Sequence, residues 1–259
     1  MSKLGRKLAV IVGGTGDIGI ETGKLFIENG ARVIITGRNQ KRVDERVKLL
    51  GPGGGHGEQV DPSDEADLKR FFTKAGQFDY LVVTLGLQAQ ALPLAQTTDK
   101  DYQTALDEKF FYYVRSLRAA LGHVKGSVTW LTGSAGRAAL PGLSNYGATC
   151  GALHGAQGGL AMELAPIRLN SVASGIVQTD FWTKLGLNEQ QKSAMYADAA
   201  TMIPVGIVPG PKPIAEALYF AATNVYTTGS IFDTSGGVVL GRMLPGERKA
   251  AFGGLASRV

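Results

Sequence analysis

Val12-Gly13-Gly14-Thr15-Gly16-Asp17-Ile18-Gly19 is the stretch that decides the fold of this chain. It follows an apolar run, Leu8 to Val12, and precedes a helix-like run, Ile20 to Ile27. Gly14, Gly16 and Gly19 fit GxGxxG, while Gly13, Gly16 and Gly19 fit GxxGxxG. A glycine-rich turn between a strand and a helix lets backbone N–H groups approach a pyrophosphate. The helix N-terminus then adds the positive end of its dipole. A second strand pattern, Ala31-Arg32-Val33-Ile34-Ile35-Thr36, follows at the distance such a unit requires.

The pattern continues beyond this unit. Strand-like runs lie at Leu8–Val12, Arg32–Thr36, Gly57–Val60, Tyr80–Thr84, Ser127–Thr132, Leu169–Ala173 and Ser230–Phe232. Helical stretches fall near 18–29, 40–50, 64–75, 99–122, 145–165 and 213–223. Ser63, before Asp64 and Glu65, reads as a helix start. The strands are continuous apolar runs, as expected when helices cover both faces. Alternating β and α implies right-handed crossovers and a parallel sheet. The expected architecture is α/β, a Rossmann-type doubly wound parallel sheet in three layers. No composition break divides residues 1–259, so one domain is expected.

Two segments stand out. Gly147, Gly151, Gly155 and Gly159 recur every four residues in one helix. Each costs about 1 kcal/mol relative to Ala, so another element must press closely on that stripe. Residues 180–210 carry Phe181, Trp182, Leu185, Leu187, Met195, Tyr196, Met202 and Ile203. They follow a strand's C-terminal end, where open α/β sheets bind ligands, and are expected to form a lid over an apolar pocket.

Bulk composition excludes several classes. The 259 residues are 44% hydrophobic and 19% charged, enough to build a core. The net charge of +5 comes from scattered Lys and Arg. The densest cluster, Lys41-Arg42 through Lys48, is interrupted by acids and reads as a solvated helix face. No nucleic-acid partner is expected. A single cysteine, Cys150, rules out an intrachain disulfide framework. Met1 to Lys7 is polar and lacks a signal-peptide pattern, and no apolar run approaches 18 residues. A cytoplasmic protein with no membrane association is expected. His56, His123 and His154 have no metal-ligand spacing, so surface or packing roles are expected and no metal site.

Several landmarks line up along nearly the whole chain. Asp61 ends the third strand, Leu85-Gly86 the fourth and Thr132-Gly133-Ser134-Ala135-Gly136 the fifth. Tyr146 opens the next helix, and Asn170 to Thr179 follows. This order resembles the short-chain dehydrogenase/reductase family, in its branch of about 250 residues. The resemblance implies a seven-stranded sheet, a nicotinamide cofactor, a small carbonyl or alcohol substrate, and a homodimer or homotetramer.

The resemblance also implies a catalytic set, and here the chain departs from it. In that family a tyrosine is the general acid/base, and a lysine four residues later lowers its pKa. A serine about 13 residues earlier holds the substrate oxygen, and an asparagine on an earlier helix supports a water relay. Tyr146 matches the tyrosine. The lysine position is Cys150, which carries no positive charge and reads as a small buried packing residue. The serine position falls on Gly133. Ser134 is the first candidate for the substrate-binding hydroxyl and Thr132 the second. The asparagine position falls on Lys109, which is expected to enter the site and supply the missing cation. The alternative is an exposed helix lysine.

The cofactor reading follows the same resemblance. Gly13, Gly14, Thr15, Gly16, Asp17, Ile18 and Gly19 would hold the phosphates. NAD-preferring relatives end the second strand with an acid. Here Gly37 stands in that place, followed by Arg38 and Asn39. A removed acid beside a guanidinium favours the 2′-phosphate of NADP(H) over NAD(H). Asp61 would meet the adenine, Leu85 and Gly86 the adenosine ribose, and Val177 and Thr179 the carboxamide and phosphate end. Asp17 replaces a glycine of the family pattern, and a carboxylate there is unfavourable unless it points outward or caps the helix. Two functions remain open: an NADPH-dependent carbonyl reductase, or an NADP(H)-binding regulatory or redox-sensing module with little turnover.

Overall fold

The computed structural model describes residues 3–53, 55–87, 92–138, 142–184 and 186–240. Leu185, within the expected lid, lies outside them. The strands are β1 (Leu8–Val12), β2 (Arg32–Gly37), β3 (Gly55–Gln59), β4 (Phe78–Val83), β5 (Val124–Gly133), β6 (Arg168–Ser174) and β7 (Ile231–Thr234). They form one seven-stranded sheet in the order β3-β2-β1-β4-β5-β6-β7. Every neighbouring pair is parallel. The helices are α1 (Asp17–Glu28), α2 (Gln40–Val47), α3 (Glu65–Ala75), α4 (Asp99–Ala105), α5 (Tyr112–Ala120), α6 (Ser144–Glu163), α7 (Phe181–Lys184), α8 (Glu189–Met202) and α9 (Lys212–Thr223).

Two cores explain why the central strands β1 and β4 are mostly apolar, whereas the edge strands β3 (GHGEQ) and β7 (IFDT) have no buried residue and depart from the continuous apolar pattern expected. Phe72, Phe78, Tyr113, Trp130 and Leu153 fill one face of the sheet, beneath α3, α5 and α6. Ile11, Phe26, Ile35, Ile214 and Leu218 fill the other, beneath α1 and α9. A strand buried on both faces has no polar side to present.

Local chemistry sets the helix boundaries. At α3 the cap is Asp64 rather than Ser63. Its carboxylate accepts from Ala66 N at 2.8 Å and Asp67 N at 3.2 Å, and such a cap is worth about 1 kcal/mol. Ser63 instead donates its hydroxyl to Asp61 Oδ1 at 2.8 Å. The helix expected over 99–122 is interrupted between α4 and α5, where Leu106–Phe111 is π-helical. A π segment adds a residue to a turn and re-aims the side chains it carries. Lys109 is the buried residue of that segment.

The glycine stripe of α6 divides in two. A Cβ at Gly147 would lie 3.0 Å from Ala135 O, and one at Gly151 would lie 3.8 Å from Gly136 O. These glycines let α6 sit on the 3₁₀ turn Ser134–Gly136 that ends β5. Gly155 and Gly159 face nothing within 4 Å.

Residues 176–210 build a small core of their own, Ala199, Ile203 and Val208 against Ile176, Tyr196 and Ala200. The pocket beside this segment, about 440 Å³, is polar. Gln178, Thr179, Asp180, Glu189, Lys192 and Tyr196 line it together with Asp17. The apolar side chains that suggested a greasy pocket are partly spent on holding the segment together. No helix among the described residues is long and apolar enough to cross a membrane.

Candidate active site

The candidate site residues gather along the C-terminal ends of β1, β4, β5 and β6. At one end the turn Gly13–Gly19 leads from β1 into α1. Gly13 has φ +77°, and a Cβ there would lie 2.8 Å from Leu85 Cδ2. A Cβ on Gly19 would lie 2.7 Å from Gly14 Cα. These glycines pack the turn too tightly for side chains. Gly16 is the N-cap of α1 and supplies no side-chain cap. A Cβ at Gly16 would meet only Gly13 O, at 3.8 Å. An uncapped N-terminus on a 12-residue helix, behind an open glycine face, fits an anionic dinucleotide phosphate.

Asp17 is the first residue of α1, and both of its carboxylate oxygens are engaged. Oδ1 accepts from Arg46 Nη2 at 2.6 Å, and Oδ2 accepts from the backbone N–H of Asp180 at 2.8 Å. Arg42 Nη2 lies 3.5 Å from Thr15 O and 4.0 Å from Asp180 Oδ2. The cluster at 41–48 is therefore only partly a solvated face, because Arg42 and Arg46, one helical turn apart, both reach back over the turn. Arg38 is exposed at the end of β2, and Asn39 caps α2 by accepting from Arg42 N at 2.9 Å. The rest of the expected nucleotide set follows the C-terminal ends of β3, β4 and β6. Asp61 Oδ1 accepts from Ser63 N at 2.9 Å. Gly86 is exposed, and Val177 is buried with its carbonyl accepting from Trp182 Nε1 at 2.8 Å. Thr179 Oγ1 accepts weakly from Phe181 N at 3.4 Å.

At the other end of the site, β5, the π segment and α6 meet. Tyr146, Cys150 and His154 follow each other at four-residue intervals along α6, on one helical face. A Cβ at Gly133 would lie 2.7 Å from Tyr146 Cε1 and 2.8 Å from its hydroxyl. The phenol thus rests in space that a serine side chain at Gly133 would need. Ser134 is buried at the head of the 3₁₀ turn, and its carbonyl accepts from Arg137 N and Ala138 N, each at 2.8 Å.

Cys150 is fully buried, four residues after Tyr146 on the same face of α6. Burial, followed by the Cys150 thiol, pushes the Tyr146 phenol well above its ordinary pKa. Lys109 is 2% exposed. Its ammonium lies 5.8 Å from the Tyr146 ring centroid. Its three N–H groups reach Leu85 O at 3.1 Å, Tyr113 OH at 3.3 Å and Leu131 O at 3.3 Å. Tyr113 OH donates to Leu131 O at 2.5 Å and approaches Leu85 O at 3.1 Å. Burial lowers the Lys109 pKa, and Cys150 opposes that shift. An ammonium with three protein acceptors has no proton left for Tyr146.

His154 belongs to this neighbourhood, which its sequence context did not reveal. Its Nε2 lies 2.8 Å from Thr132 Oγ1. Burial, with Arg137 and Lys109 nearby, lowers its pKa and favours the neutral ring. Thr132 Oγ1 also approaches Val172 O at 3.3 Å, so this hydroxyl is committed within the fold. The described residues include no group of three His, Cys, Asp or Glu able to hold a metal.

Comparison with known proteins decides the family. The family model described as enoyl-(acyl carrier protein) reductase matches residues 14–239. This chain belongs to the short-chain dehydrogenase/reductase family. It is 27% identical over 248 residues to the 3-oxoacyl-[acyl-carrier-protein] reductase FabG of Rickettsia conorii, covering 93% of this chain and 100% of the relative. It is 30% identical over 267 residues to the oxidoreductase YxbG of Bacillus subtilis, covering 96% and 98%. A solved small-chain dehydrogenase in complex with NADPH superimposes with a TM-score of 0.76, 29% identity and coverage of 91% and 100%. An NADPH-bound short-chain oxidoreductase from Pseudomonas aeruginosa, described as containing an atypical catalytic center, superimposes with a TM-score of 0.82. That match has 26% identity and covers 90% and 96%. The chain is an oxidoreductase of this family, and its sheet order and helix layers are the family's.

Proposed function

We propose that this protein uses NADPH to reduce a ketone or related carbonyl to the alcohol, with Tyr146 as the proton donor. The observation that carries this reading is the Tyr146 phenol, held against Gly133 beside Cys150 with its pKa raised. A phenol protonated through neutral pH can donate to the alkoxide that forms during reduction. Alcohol oxidation needs the phenolate, which this setting disfavours. Bound NADPH supplies the hydride. The chain's own residues position the substrate and move the proton.

Ser134 orients the carbonyl from the end of β5. Lys109 stabilises the charge left on Tyr146 after donation. At about 6 Å and an effective dielectric near 20, a unit charge contributes about 3 kcal/mol. Arg38 binds the 2′-phosphate, and the two solved structures described as holding NADPH agree with that choice. Residues 180–210 act as a lid. The substrate class rests on the relatives named 3-oxoacyl-[acyl-carrier-protein] reductase. The working form is a homodimer or homotetramer, as in the family.

A second reading has its own observation. Cys150 stands in the lysine position and raises the Tyr146 pKa instead of lowering it, which suits a nucleotide-binding module with little turnover. NADPH consumption over a panel of ketones and 3-oxoacyl thioesters separates the two. Consumption by at least one carbonyl, lost in Tyr146→Phe, supports the reductase. Tight NADPH binding with no consumption by any supports the module.

A further inference from the structure

Asp17 is the one residue of the glycine turn whose charge opposes a phosphate, and the structure shows what it does instead. Its carboxylate joins three separate pieces of chain. It begins α1, it pairs with Arg46 of α2 at 2.6 Å, and it accepts the Asp180 N–H at 2.8 Å from the segment that follows β6. A guanidinium and a backbone N–H converging on one carboxylate make an anion site, and here the anion belongs to the protein. The pair is only about one-fifth exposed on each side, so solvent screens it less than an ordinary surface pair. Arg46 Nε is buried with no hydrogen-bond partner among the described residues, so its guanidinium is not yet fully used. Arg42 adds a second guanidinium over the same turn, 4.0 Å from the Asp180 carboxylate.

We propose that Asp17 is an internal competitor for the cofactor's phosphates and a latch on the segment 178–183. With no nucleotide bound, the carboxylate occupies the donors of Arg46 and Asp180 and ties that segment to the glycine turn. A dinucleotide phosphate entering at the α1 N-terminus repels the carboxylate and competes for the same donors. The latch therefore weakens nucleotide binding, and nucleotide binding loosens the latch, as thermodynamic reciprocity requires. The affinity part of this proposal rests on the NADP(H) reading above. The latch itself does not.

Two measurements on the full chain test it. The first is amide hydrogen exchange over 178–183 in the nucleotide-free protein. Asp17→Ala is expected to speed exchange there about tenfold, with the melting temperature held within a few degrees. Unchanged exchange overturns the latch. The second is the NADPH dissociation constant by titration calorimetry. Asp17→Ala is expected to bind about tenfold more tightly than wild type at low salt, with the gap narrowing as salt rises. Arg46→Gln, which leaves Asp17 uncompensated, is expected to bind about tenfold more weakly. NADPH binding equal to wild type, or weaker, in Asp17→Ala overturns the competition while leaving the nucleotide reading intact. If neither wild type nor Asp17→Ala binds NADPH, the nucleotide reading fails and the competition falls with it. The exchange result then judges the latch alone.

Discussion

The proposed nucleotide end of the site, at Gly13–Gly19, and its proposed catalytic end, at Tyr146, are built in different ways. Around Gly13–Gly19 the glycines stand where close packing demands them. The single charge that intrudes, Asp17, is answered locally by Arg46 and the Asp180 N–H. Around Tyr146, on the proposed reading, the residues depend on each other. Gly133 leaves space that the phenol fills, Cys150 lies one turn along α6 from Tyr146, and the Lys109 ammonium approaches the Tyr146 ring from the π segment. Binding a phosphate needs backbone N–H groups and a helix end, which tolerate side-chain change. Moving a proton needs a tuned pKa, which a single missing ammonium alters. The nucleotide end can therefore be altered residue by residue, whereas the catalytic end changes as a set.

The sharpest break between the two ends comes from Tyr146→Phe. Removing the phenolic proton is expected to cut carbonyl reduction by at least about a hundredfold. The NADPH dissociation constant should stay at the wild-type value, since Tyr146 lies at the other end of the site. Stopped-flow rates and calorimetry on the same sample read both quantities. A loss of NADPH affinity as large as the loss of rate would merge the two ends that the comparison separates.

Gly133→Ser tests whether the catalytic set is mutually dependent. The substitution restores the residue type of the family pattern, yet its Cβ would fall 2.7 Å from the Tyr146 ring. Overpacking of this kind costs about 1–3 kcal/mol. A drop of roughly tenfold or more in turnover is expected as the phenol is displaced, with a lower urea midpoint. Higher activity in Gly133→Ser would show that the ring moves aside at no cost and that the set is not coupled. At the nucleotide end, Arg38→Ala is expected to weaken NADPH binding about tenfold and leave NADH unchanged, because only NADPH carries the 2′-phosphate. Equal losses for both would assign Arg38 a general electrostatic role.

The same contrast explains what the sequence made legible. The sheet was readable because its central strands β1 and β4 are mostly apolar and buried, while the edge strands β3 and β7, with no buried residue, were legible chiefly from their spacing in the βα alternation. The glycine turn was readable because its residue types are dictated by backbone geometry. The π segment at Leu106–Phe111 was not, since no composition distinguishes it from the helix on either side. Its effect, turning Lys109 inward, came from lining up positions with the family and not from periodicity. Arg42 and Arg46 were hidden among solvated charges at 41–48, although their spacing of four after the Asn39 cap was a usable signal. His154 was unreadable in isolation. Its place depends on Thr132, 22 residues away and on a strand.

One titration tests the central claim without knowledge of the substrate: the ultraviolet difference titration of wild type against Tyr146→Phe between pH 6 and 11. The raised pKa of Tyr146 predicts no tyrosinate signal from this residue below about pH 10. On the proposed reading, a phenol that stays protonated keeps the reduction direction active across neutral pH and starves oxidation of its base. A Tyr146 signal that develops by pH 7 or 8 would mean that Lys109 or another cation lowers the phenol after all. It would contradict the picture of a catalytic end built around a protonated tyrosine.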